Sequence, residues 1–174
     1  SLCDSRCAGI FIYHGYGTFE NCTVNAKTIK SNSSDKHAGT VGFNYMFLPI
    51  TSYYAGESDG NLEKCSVTAE SLVANGSESA EVYGLCAAVF GKQYYQVEGN
   101  VENCTVKIGD IDISASAFNS ALLISDNYDC KISENNVTIS ESVARALGLV
   151  FDVTQASDST ETGTYLLYTA NEDS

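Results

Sequence analysis

Apolar and polar positions alternate along most of the chain with the period of two that a half-buried β-strand requires. Cys104, Val106 and Ile108 alternate with Thr105 and Lys107, and Ile111 and Ile113 alternate with Asp110 and Asp112. Val, Ile, Thr and Tyr recur, and their branched or flat side chains suit a pleated surface. Long helical periodicity is absent. Positions 141–150 could make a short helix, but Leu147-Gly-Leu-Val150 fits the strand pattern better. The one proline, Pro49, leaves the strand ladders uninterrupted.

The alternation is organised in repeats. Gly17-Thr-Phe-Glu-Asn-Cys-Thr-Val24 is matched by Gly60-Asn-Leu-Glu-Lys-Cys-Ser-Val67 and by Gly99-Asn-Val-Glu-Asn-Cys-Thr-Val106. A decayed copy, Ile132-Ser-Glu-Asn-Asn-Val-Thr-Ile139, follows, with Asn136 as the weak counterpart of Cys104. A second, looser motif sets a small residue among apolar ones: Val41-Gly-Phe43, Tyr83-Gly-Leu85, Ser120-Ala-Leu122 and Leu147-Gly-Leu149, with Ala8-Gly-Ile-Phe-Ile12 as an earlier copy. The two motifs alternate strictly. Self-similarity of this kind, at spacings of 43, 39 and 32 residues, marks stacked repeats, each burying its neighbour's face.

The expected fold is therefore all-β: a single-stranded parallel β-helix (solenoid) of about four to five coils with two strands per coil. One domain spans 1–174, with an N-terminal coil or cap at 1–16 and repeats at 17–59, 60–98, 99–129 and 130–151. A C-terminal strand and tail fill 152–174, the strand at Thr164-Tyr-Leu-Leu-Tyr168. Gly and Asn at the repeat starts are expected to supply positive-φ corners. Uncovered end coils would offer edges for aggregation, which the acidic tail is expected to discourage.

The Glu-Asn-Cys-Thr-Val strand followed by an apolar Gly-Leu strand resembles the right-handed β-helix repeats of the pectin-lyase-like class. It is more similar still to the "GLUG" repeats of large bacterial surface proteins. The resemblance runs from about Ala8 to Phe151, although the double glycine of those repeats is missing from every copy. It implies a right-handed solenoid in a secreted, cell-surface or adhesin-like protein. It does not imply an activity, because such folds host both enzymes and inert stalks.

Cysteine usage follows the repeat. Stacked coils place equivalent residues about 4.8 Å apart, so Cys22, Cys65 and Cys104 form a column of small, buried side chains. Side chains in register point the same way, which is poor geometry for a disulfide along the column. Cys3 and Cys7 are candidates for a bonded cap, and a total of seven cysteines leaves at least one thiol without an intrachain partner.

Charge narrows the partners. The net charge of -13, with 9 Lys+Arg against 22 Asp+Glu, disfavours nucleic acid and anionic lipid. No apolar stretch reaches the ~20 residues that span a bilayer. The chain begins at Ser1 with no charged-then-apolar leader, as expected of a processed piece of a longer, exported product.

Candidate chemistry is sparse. Tyr53, Tyr54, Tyr94, Tyr95 and Tyr128 recur after the second motif, each group ahead of an acidic residue (Asp59, Glu98, Asp129). On a solenoid they would project as one ridge, and tyrosine's flat face and polar tip suit sugar rings or a protein surface. The plainer reading packs these rings under their own loops. Asp110 and Asp112 share a strand face and could pair as acid and base or hold a divalent cation; a solvated outer face explains them more simply. His14 and His37 lack the paired short spacing of a zinc site. Asn21, Asn32, Asn75, Asn103 and Asn136 each head an N-x-S/T sequon, which abundant Asn, Ser and Thr explain by coincidence.

No catalytic residue, resident metal or cofactor is assigned. The expected function is a non-catalytic extracellular adhesin-like module binding a glycan or host protein through the tyrosine ridge. A β-helical polysaccharide lyase or glycoside hydrolase is the alternative, and a structural spacer the third reading.

Overall fold

The computed structural model of the chain describes residues 5–34, 36–48, 60–90, 99–121, 123–128, 130–139 and 163–165. Regular structure among them is all strand, without a helix. No helix is long and apolar enough to cross a membrane.

The strands fall into tiers of four. The first tier comprises β1 (Ser5–Ala8), β2 (Phe11–Tyr16), β3 (Phe19–Glu20) and β4 (Thr23–Ser33). The second comprises β5 (His37–Val41), β6 (Asn44–Leu48), β7 (Gly60–Glu63) and β8 (Ser66–Gly76). The third comprises β9 (Ser79–Tyr83), β10 (Cys86–Phe90), β11 (Gly99–Glu102) and β12 (Thr105–Ser114). The fourth comprises β13 (Ala117–Ala121), β14 (Ile124–Tyr128), β15 (Lys131–Ser133) and β16 (Asn136–Ile139), and β17 (Gly163–Tyr165) follows. Each strand of the first three tiers pairs with the fourth one on, and β14 pairs with β17. This gives sheet A (β1-β5-β9-β13), sheet B (β2-β6-β10-β14-β17), sheet C (β3-β7-β11-β15) and sheet D (β4-β8-β12-β16). Every pairing is parallel except β14 with β17, which is antiparallel. The arrangement is compatible with a β-helix.

Strand alternation fills a shared core. Phe19, Leu62, Val101 and Ile132 align across sheet C, and Val24, Val67, Val106 and Val137 across sheet D. Leu62, Val67, Val101, Val106 and Ile132 are fully enclosed. Each such side chain contributes roughly 1.5–3 kcal/mol by leaving water. Sheet D changes phase midway: Val67 and Ala69 point in, Glu70 and Ser71 both stay out, and Leu72 and Ala74 point in again. The same break recurs at Gly109-Asp110, where Cβ on Gly109 would sit 2.8 Å from the Glu70 carbonyl oxygen.

Four details differ from the sequence expectations. Each tier has four strands, not two: a glycine interrupts the run between sheets A and B, and the strands of sheet C are too short to show as separate periods. The positive-φ corners sit one residue before the column of cysteines, at Asn21 (φ 55), Lys64 (φ 52), Asn103 (φ 53) and Glu134 (φ 54). Among the repeat-start glycines only Gly17 has positive φ; Gly60 and Gly99 are ordinary strand residues. Register pairs Ala121 with Tyr83, and the Leu85 N–H bonds the Leu123 carbonyl, so 121–123 matches Val41-Gly-Phe43 and the expected Ser120-Ala-Leu122 is one residue early. Thr105 pairs with Asn136, so the counterpart of Cys104 is Asn135 and not Asn136. The Leu147-Gly-Leu149 copy lies outside the described residues.

Glu134 occupies a left-handed corner that asparagine fills in two other tiers. That conformation costs a side chain with Cβ about 1–2 kcal/mol, and Asn adopts it most readily. Glu134→Asn is expected to raise stability by roughly 0.5–1 kcal/mol. An unchanged or lower urea midpoint for this exposed substitution would contradict the strain argument.

Candidate functional site

Three constellations rise from this frame. The first is internal. Cys22, Cys65 and Cys104 follow the corner residue in successive tiers. The N–H of Ser66 bonds the Cys22 carbonyl and that of Thr105 the Cys65 carbonyl. Each enclosed thiol donates to the carbonyl three residues upstream of the cysteine in the tier before: Cys65 to Phe19 O and Cys104 to Leu62 O, both at 3.4 Å. Asn135 does the same through Nδ2, to Val101 O at 2.9 Å, while its Oδ1 accepts the Cys104 N–H at 2.8 Å. The sulfurs of Cys65 and Cys104 likewise receive the N–H of Cys22 and of Cys65. Asn135 is thus the fourth member of the column.

Cys7, Cys22, Cys65, Cys86 and Cys104 are free thiols; the partner proposed for Cys7, Cys3, lies outside the described residues. The hydrogen bond shared with Cys65, then burial, pushes the Cys104 thiol up, while Cys65 is held lower chiefly by receiving that bond. Burial pushes Cys86 well up and raises Cys22 modestly. Among the described residues no group of three or more His, Cys, Asp or Glu is arranged to hold a metal.

These shifts carry a pH dependence. The unfolded chain releases a thiol proton near pH 9.0, while folded Cys86, raised by burial, keeps its own. Its contribution is complete below pH 9.0 and is lost above it, by at most about 1.4 kcal/mol per pH unit. Urea midpoints are expected to fall above pH 9, less steeply in Cys86→Ala. An identical alkaline slope in that variant would refute the assignment.

The second constellation lies outside sheets A and B. Outward residues of β5, β6 and β9 bring Val41, Tyr45 and Tyr83 into a small cluster of their own. The Arg6 guanidinium lies over the Tyr45 ring, 5.5 Å from its centroid. His37 Nδ1 and Ser79 Oγ are hydrogen-bonded at 2.8 Å, and His37 Nε2 lies 3.2 Å from Glu81 Oε1, near enough for an ion pair but poorly aligned for a hydrogen bond. The Tyr83 hydroxyl donates to Glu81 Oε2 at 3.0 Å. Tyr45 is 3% exposed, and burial, then the Glu81 carboxylate, raises its pKa. Its hydroxyl occupies the space a Cβ on Gly39 would take. With His37 Nδ1 bonded to Ser79 and Tyr45 enclosed beside Arg6 and Glu81, this cluster ties sheets A and B together.

The third constellation is open. Outside sheet D, Thr23, Ser66, Thr105 and Asn136 form one column, and Asn25, Thr68, Lys107 and Thr138 form another, with the buried valines between. Ser66 Oγ donates to Thr23 Oγ1 at 3.0 Å, and Thr28 and Ser71 hydroxyls are 2.9 Å apart. A groove of about 640 Å³ crosses all four tiers here, lined by Asn25, Lys27, Thr68, Glu70, Lys107 and Thr138, with Ala26, Ala69 and Ile108 between them, packed in or against the core. Two ammonium groups face one carboxylate, so the groove escapes the acidity of the whole chain.

Tyr53, Tyr54, Tyr94 and Tyr95 lie outside the described residues. Tyr128 closes β14, its backbone paired with Phe90, and its side chain is likewise outside. Asp110 and Asp112 are exposed beside Ser71 and Val73 of the neighbouring strand. His14 lies in β2, whereas His37 is drawn into the second constellation. Sequon residues Asn21, Asn32, Asn103 and Asn136 are exposed, and Asn75 Nδ2 donates to Asn32 Oδ1. Sequence reading missed Arg6, Tyr45, Glu81 and Tyr83, which only strand register unites. The columns of sheet D were visible as the Thr-Val-Asn, Ser-Val-Thr, Thr-Val-Lys and Asn-Val-Thr triplets. No protein-family model matches the chain, and no match is found among the curated proteins or the solved structures.

Proposed function

We propose that this chain is a parallel β-helix serving as a non-catalytic, adhesin-like module that binds a neutral glycan on the outside of sheet D. The GLUG-type likeness and an extracellular or cell-surface location belong to the same reading. The parallel pairing of each strand of the first three tiers with the fourth one on supports the solenoid. The observation that carries the function is the sheet D groove, where hydroxyl and amide groups recur at the tier spacing across four strands. Sugar rings present the complement, a rim of hydroxyls. The groove sets two ammonium groups against one carboxylate, but the net charge of -13 on the whole chain repels a polyanion, which favours a neutral polymer over an acidic one. Burial of Cys65, Cys86 and Cys104 is consistent with export, since it shields free thiols from oxidants.

The test is incubation with neutral and acidic polysaccharides, with and without calcium, scoring retention and chain length together. Retention of neutral chains at full length, lost in the double variant Thr68→Ala/Thr138→Ala, is the expected result. Shortened chains would overturn it in favour of a polysaccharide-cleaving enzyme, and no retention would leave a structural spacer. A variant with Ser at Tyr53, Tyr54, Tyr94, Tyr95 and Tyr128 that still binds would exclude the tyrosine ridge.

A further inference from the structure

The sheet D groove runs across the strands and not along them. It takes the same positions of each tier: Asn25-Ala-Lys27, Thr68-Ala-Glu70, Lys107-Ile-Gly109 and, in the fourth tier, Thr138. Register aligns Asn25, Thr68, Lys107 and Thr138 in one column, with Lys27, Glu70 and Gly109 on the far side of Ala26, Ala69 and Ile108. Strands ~4.8 Å apart and a rise of ~3.4 Å per residue make the groove roughly 14 Å long and 7 Å wide. That shape takes one linear chain laid across the four strands.

The column has groups to offer such a chain. Flanking hydroxyls are spent on each other, Ser66 donating to Thr23 at 3.0 Å and Thr28 lying 2.9 Å from Ser71. Asn25, Thr68, Lys107 and Thr138 are exposed and make no side-chain hydrogen bond with the described residues. An extended peptide is recognised by backbone pairing at a strand edge, whereas β8 and β12 are already paired on both sides. The groove therefore bonds through side chains, to a chain with hydroxyls along its whole length.

The column also alternates in kind. Nitrogen donors stand in the first and third tiers (Asn25, Lys107) and hydroxyls in the second and fourth (Thr68, Thr138). In a β-1,4-linked glucose chain, equatorial bonds at both ends of each ring keep the chain straight, and each ring advances by close to the ~4.8 Å between strands. Successive rings are turned over, so one edge of the chain shows a vicinal diol and a hydroxymethyl group in turn. An α-1,4-linked chain curls and leaves a straight groove within a few rings.

We propose that the sheet D groove binds an unbranched β-1,4-linked hexose polymer across the strands, one ring per tier with a two-ring repeat. Rings beside Asn25 and Lys107 turn their diols to the nitrogen donors. Rings beside Thr68 and Thr138 turn their hydroxymethyl groups to the hydroxyls. The inference rests on the neutral-glycan reading of sheet D and adds linkage, direction and length to it.

Calorimetric titration of the full chain with glucose oligomers of two to six rings, β-1,4-linked in one series and α-1,4-linked in the other, tests this. Affinity in the β-1,4 series is expected to rise about fivefold per ring up to four rings and then to level off. The α-1,4 series is expected to stay at the level of its two-ring member. Lys107→Ala, at an exposed position, is expected to cost about fivefold with four rings, to leave two-ring binding unchanged and to keep the melting temperature. Equal affinity in the two series, or affinity that stops rising at two rings, would overturn the alignment and leave the glycan reading standing. Failure of both series beside retention of another neutral polysaccharide would do the same, and retention of none would overturn both.

Discussion

Gly42→Ala is expected to destabilise the fold by about 3 kcal/mol or more, at the upper end of overpacking costs. Gly42 joins sheets A and B in the second tier, and its N–H bonds the Tyr83 carbonyl at 2.9 Å. A Cβ there would overlap the Gly84 carbonyl oxygen and lie 2.7 Å from Val67 Cγ1. Neither neighbour can retreat: one is backbone held between tiers, the other a fully buried core side chain. Gly9 meets the Gly42 carbonyl in the same way, so a glycine column lets these backbones approach. A loss of this size corresponds to a fall in melting temperature of roughly 6–12 °C for a chain of this length. Thr68→Ala, at an exposed position, is the control. Near-native melting of Gly42→Ala would show that the tiers can part at this corner without cost.

Asn135→Ala carries the second large expected effect, about 2–4 kcal/mol, because it strands two buried backbone groups at once. The Cys104 N–H and the Val101 carbonyl both depend on the Asn135 amide, and the residue is 0% exposed. Asn135→Cys is expected to recover much of the loss, since a thiol in the two preceding tiers donates to the equivalent carbonyl. The reciprocal Cys104→Asn should be tolerated far better than its volume change suggests. Equal denaturation midpoints for Asn135→Ala and Asn135→Cys would disprove the equivalence of amide and thiol in this column.

The fourth column member also shows how far sequence reading reaches. In Glu134-Asn-Asn-Val137 local alternation allows either asparagine to follow the corner. The choice falls on Asn135 because Val137 must pair with Val106 and point inward, a requirement set by the tier before. The groove of sheet D was half legible. Its triplets name the outward residues, but their columns exist only once β4, β8, β12 and β16 are set in register. The cluster of Arg6, His37, Tyr45, Glu81 and Tyr83 was not legible, since its members come from four strands that alternation describes one at a time.

The sequence by itself determined the all-β class, the inward valines and cysteines, and the repeat that stacks them. These follow from period-two alternation and self-similarity, which are local properties of the chain. Tertiary structure alone decided four strands per tier, the corners at Lys64 and Glu134, the place of Asn135 and the exposed edge at Ile10. The physical reason is that inter-tier hydrogen bonding and core closure fix register across 31 to 43 residues of intervening chain. Over such separations a corner takes left-handed backbone even where the local residue resists it.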